Sequence, residues 1–112
     1  MHIIIQEVNG YMPDTIIRIY GDRIELEENG TTKFLNYNKE EISEIIETFL
    51  NITKDWKSKY EEKGIIDDDI FKISVISKNI KEYYIKNKYP NNWSKFILFR
   101  NKLLREELKF NY

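Results

Sequence analysis

The chain has 112 residues, a net charge of −1, 41% hydrophobic and 33% charged residues, and no cysteine. That length suits one hydrophobic core spanning residues 1–112, and the composition excludes a disordered polymer. Without cysteine there is neither a disulfide framework nor a thiolate metal site.

The start, Met1-His2-Ile3-Ile4-Ile5-Gln6-Glu7, carries no basic lead and no sustained apolar run. No signal peptide or membrane span is therefore expected, and the cytoplasm is the expected location. The first strand is predicted over Ile3 to Val8, and Asn9-Gly10 supplies turn chemistry. Thr15 to Tyr20 is a second β-branched run. Arg23-Ile24-Glu25-Leu26-Glu27 alternates strictly, as a strand does with one face on a core. Asn29-Gly30 is a hairpin signal, and Thr31 to Tyr37 returns as the fourth strand.

At Asn38 the period changes. Asn38 with Glu41 has the spacing of a capping box. Ile42, Ile45, Ile46, Phe49, Ile52, Trp56 and Tyr60 then recur at helical spacing, predicting a long helix closed by Gly64. Asn51-Ile52-Thr53 is its weakest stretch by propensity, where a kink or break would fall. Phe71 to Ser77 and Ile80 to Ile85 form a second hairpin about Lys78-Asn79. A last helix is predicted from Trp93 to Lys109. The sum is an α+β, two-layer protein with an antiparallel sheet of about six strands: a four-strand meander, a long helix, a hairpin and a C-terminal helix.

Chemistry-bearing groups are sparse. His2 is the single histidine, and no Cys–His or Ser–His–Asp set can be assembled. The four glycines sit at turn or cap positions rather than in a phosphate loop. Asp67-Asp68-Asp69 is the one carboxylate run, but it lacks the alternating ligands and distal Glu of a calcium loop. It reads as an acidic turn at a strand start, with a metal-dependent hydrolase on Asp67 and Asp69 as a third reading. No catalytic residue, metal site or cofactor is assigned, and the chain is read as no enzyme.

Trp56…Tyr60…Ile66-Asp67, a strand, then Tyr84…Asn87-Lys88-Tyr89-Pro90-Asn91-Asn92-Trp93…Phe96 resembles a group of small bacterial α+β proteins. Their pattern is W…Y…I-D-G, a strand, G-x-N-x-Y-P-x-N-(W/F) and a closing helix. The resemblance covers residues 56–99 and implies the fold. Asp68 and Ile85-Lys86 stand where the group has glycine. On physical grounds the second motif is structural: Pro90 ends the strand, asparagine caps the helix and Trp93 anchors it.

Charge is divided unevenly. Residues 1–70 hold 16 acidic and 8 basic side chains, whereas residues 71–112 hold 3 and 10. Either the halves attract one another on packing or the division marks an interaction surface. There is no alanine, but there are 19 Ile, 14 Lys and 11 Asn, which A/T-rich codons favour, as in an A/T-rich bacterium or its mobile elements.

Together these features point to a non-catalytic protein-binding module. The expected type is a small inhibitor, such as an immunity protein or a phage or mobile-element anti-defence protein, that occludes a toxin or defence protein. The expected partner-binding face is acidic: Glu25, Glu27, Glu28, Glu40, Glu44 and Glu47. The alternative is a nucleic-acid-binding domain using Lys86, Lys88, Lys95, Lys102, Arg105 and Lys109 of the basic half.

Overall fold

The computed structural model describes residues 1–10, 12–64 and 69–109, with the backbone alone at Met12 and Pro13. Four strands come first: β1 (His2–Asn9), β2 (Met12–Ile19), β3 (Ile24–Glu28) and β4 (Thr31–Leu35). Each pairs antiparallel with the next. Asn29 and Gly30 take φ of 53° and 73°, the left-handed pair that a two-residue hairpin of matching twist needs. Glu28 and Thr31 close that turn.

Helix α1 (Lys39–Thr53) starts where the capping box predicts. The Asn38 side chain accepts from the Glu41 N–H, and the Glu41 carboxylate accepts from the Asn38 N–H, both at 2.8 Å. The helix is shorter than the apolar spacing suggests, and Gly64 does not close it. It ends in the weak Asn51-Ile52-Thr53 stretch, where the Thr53 hydroxyl turns back to donate to the Phe49 carbonyl at 3.1 Å. Trp56 and Tyr60 satisfy the core from beyond the helix. Tyr60 belongs to a strand that the helical pattern conceals, β5 (Lys59–Glu61).

Strands β6 (Asp69–Ile76) and β7 (Ile80–Lys86) form the second hairpin. Strand β6 pairs antiparallel with β1, so β1 is the middle of the sheet. Strand β5 pairs parallel with β7 at the far edge. The sheet thus has seven strands rather than about six, in the order β4-β3-β2-β1-β6-β7-β5, and is mostly antiparallel. Helix α2 (Trp93–Leu104) is also shorter than predicted, stopping before the left-handed residue Glu106 at φ 58°. Among the described residues no helix is long and apolar enough to cross a membrane.

Both helices lie on one face of the sheet. Ile3 and Ile5 of β1, Ile17 and Ile19 of β2, Ile24 and Leu26 of β3 alternate inward and are at most 3% exposed. Phe71, Ile73, Tyr83 and Ile85 continue the same face across β6 and β7. Over it Phe96 is fully buried, with Phe49, Trp56, Phe71 and Trp93 ring centroids 4.9–6.4 Å away. Asn92 precedes α2 but its side chain makes no capping bond. Instead it accepts from Trp56 Nε1 at 2.7 Å and donates to the Ile52 carbonyl at 2.8 Å. One amide therefore ties the end of α1 to the start of α2.

Tyr37, buried between β4 and α1, donates its hydroxyl to the Leu103 carbonyl at 2.8 Å. Burial pushes its pKa up to about 12, and the carboxylates of Glu106, Glu41 and Glu107 push the same way. A phenol whose folded pKa lies above its unfolded value gives stability that is full below pH 10 and is lost between pH 10 and about 12. Absorbance titration at alkaline pH should therefore show one tyrosine ionising last, and Tyr37→Phe should remove that phase. Loss of a different tyrosine's phase would contradict this placement.

Candidate partner-binding surfaces

Strand alternation decides where each candidate charge goes. Glu25 and Glu27 pair with Arg18 and Ile16 across β3 and β2, on the face away from the helices. Glu28 is at the hairpin tip with the opposite parity. Glu40, Glu44 and Glu47 lie along the outward side of α1, in the helix layer, with Glu40 and Glu47 exposed. The six expected acids therefore do not form one face, because the sheet separates Glu25 and Glu27 from the other four. Glu25 and Glu27 are also engaged, with Arg23 at 2.8 Å and Arg18 at 3.1 Å.

The basic set is divided in the same way. Lys86 lies on the open sheet face and pairs across β7 with Ile70. Lys95 and Lys102 are exposed on α2, on the other side of the molecule, and Lys88, Arg105 and Lys109 are exposed in the segments following β7 and α2. These six do not line one track. Nor is the charge division resolved by direct pairing of the halves: of the ion pairs among described residues, Arg100–Glu7 at 3.5 Å alone joins them.

Asp67 and Asp68 lie outside the described residues. Asp69 accepts from Asn9 Nδ2 at 2.9 Å. Among the described residues no three His, Cys, Asp or Glu side chains converge as a metal site would require. His2 lies beside Tyr20, with ring centroids 5.3 Å apart.

A polar cluster not expected from the sequence sits where α2 crosses β1 and β6. Glu7 has the inward parity of Ile3 and Ile5, and that alternation was the signal available for it. Burial raises its carboxyl pKa, Arg100 opposes the shift and Asp69 adds to it. The Arg100 guanidinium lies 5.9 Å from the Phe71 ring centroid, and its Nε is buried without a hydrogen-bond partner among the described residues. Tyr89 packs tilted against Trp93, with centroids 5.1 Å apart, and its phenol pKa is raised by burial and then by Asp69. A nucleophile paired with a base is not among these groups. The cluster anchors α2 on the sheet.

Among the described residues no helix covers the sheet face opposite α1 and α2. Ile4, Ile16, Val8, Ile70 and Ile76 are half-buried on it, and Ile80 is 65% exposed. At its edge Phe34 is 67% exposed. A depression of about 370 Å³ near its centre is lined by Ile4, Gln6, Lys72, Ser74, Glu82 and Tyr84. Register places four bases on this face, Arg18, Lys59, Lys72 and Lys86, and four acids, Glu25, Glu27, Glu61 and Glu82; Arg23 joins them through its bond to Glu25 and Asp14 through its bond from Gln6. Arg18–Glu27, Arg23–Glu25 and Lys59–Glu61 pair within it. These ten charges sum to zero, six of them paired, with apolar ground between them. Compared with known proteins, the chain matches no family model, no curated protein and no solved structure.

Proposed function

We propose that the chain is a non-catalytic protein-binding module, a small inhibitor of the immunity or anti-defence type that occludes a protein partner. The observation that carries this reading is the uncovered sheet face. A surface of mixed charge, partly paired within itself and with apolar residues between, suits the mixed surface of another protein. It suits a polyanion less well, because Glu25, Glu27, Glu61 and Glu82 stand among its cations and would repel phosphates. The acidic stripe of Glu40, Glu44 and Glu47 on α1 would add long-range steering toward a basic partner without being the contact itself.

The test is capture by the tagged chain from bacterial lysate, with and without nuclease, read by mass spectrometry and absorbance. A stoichiometric protein that survives nuclease is expected. Nucleic acid released by moderate salt, with no protein left after nuclease, would instead favour the basic C-terminal half.

A further inference from the structure

The two edges of the sheet are unlike. Strand β5 has three residues and carries the Lys59–Glu61 ion pair, two devices that blunt strand pairing. Strand β4 has five residues, Thr31-Thr32-Lys33-Phe34-Leu35, with no proline or bulge, and the first four are exposed. Because Glu28 and Thr31 close a two-residue turn, Thr31, Lys33 and Leu35 direct their backbone groups to β3. Thr32 and Phe34 direct theirs away from the sheet. The next group in that outward row, the Asn36 N–H, donates to the Glu106 carboxylate, which closes the row just past the strand and leaves Thr32 and Phe34 as its outward groups.

We propose that β4 receives an extended segment of the protein partner as an antiparallel eighth strand. This deepens the protein-binding reading and rests on it. The outward N–H and C=O groups of Thr32 and Phe34 supply the ladder. On the open face, an apolar side chain of the added strand covers Phe34. On the helix side, a cavity of about 250 Å³ lined by Leu26, Glu28, Asn29, Thr31 and Lys33 receives the alternate side chain. Lys33 makes no ion pair among the described residues, so a carboxylate opposite it completes the pattern of alternating apolar and acidic residues.

The probe is a displayed library of random octapeptides selected on the full chain. Selected peptides should alternate apolar and acidic residues. They should bind Thr32→Pro at least about tenfold more weakly, since that change removes one outward donor and leaves the β3 ladder intact. Hydrogen exchange needs no variant: with peptide bound, the Thr32 and Phe34 amides should slow by about a hundredfold or more. Equal binding to Thr32→Pro, or unchanged exchange at these amides, would overturn the proposal. So would slow exchange in the free chain that grows with concentration alongside a dimer mass, because a second copy would then hold the edge. If a nuclease-resistant protein partner is captured equally by Thr32→Pro, strand addition fails while protein binding stands. Capture of nucleic acid alone would remove both.

Discussion

Phe96→Ala is expected to cost about 3–5 kcal/mol of unfolding free energy, the range for emptying a fully buried phenylalanine site. Phe96 is 0% exposed and meets Phe49 of α1, Trp56 of the following segment, Phe71 of β6 and Trp93 of its own helix. Removing the ring leaves a void between rigid aromatic neighbours on three elements, which have little freedom to close it. Urea denaturation measures the loss directly. A cost below about 1 kcal/mol would show that α2 does not sit on the sheet in this way.

Asn92→Ala has the second largest expected effect, about 2 kcal/mol, although the side chain is only partly buried. Its amide is the partner of both Trp56 Nε1 and the Ile52 carbonyl. Alanine would leave that donor and that acceptor unpaired in an apolar setting, and such orphans cost more than a hydrogen bond gains. The neighbouring Asn91 is exposed, so Asn91→Ala should fall within about 0.5 kcal/mol of wild type. Equal effects at the two positions would deny Asn92 its role as the tie between α1 and α2.

These two residues also show what was legible in the sequence. The aromatic spacing around Phe96 revealed a core-facing helix, and Asn29-Gly30 and Asn38…Glu41 fixed a hairpin and a helix start through local chemistry alone. Asparagine before a helix usually caps it, but the Asn92 side chain does not. Its true partners lie 36 and 40 residues away, beyond any local rule. The overlong helix has the same origin. Trp56 and Tyr60 fall at helical spacing from Ile52, while Thr53 ends the helix and a three-residue parallel strand follows. So short a strand is specified by its neighbour β7, not by its own residues.

For the surfaces, strand parity was legible and charge grouping was not. The alternation of Arg23-Ile24-Glu25-Leu26-Glu27 already places Glu25 and Glu27 on one side of the sheet. Which side the helices cover depends on pairing between β1 and β6, some 70 residues apart in sequence. The open face as a whole, with Ile4, Lys72, Ile80 and Tyr84 together, exists only once that pairing forms.

Capture of the nuclease-resistant partner by wild type and by an Ile80→Glu, Lys72→Glu variant tests most directly whether the open sheet face is the protein-binding surface. Ile80 is 65% exposed and Lys72 is exposed, so the fold should be unaffected, as circular dichroism would verify. The expected result is a loss of partner affinity of at least about tenfold, from a buried charge and a reversed one at the contact. Undiminished capture of the same protein would contradict docking on the open sheet face.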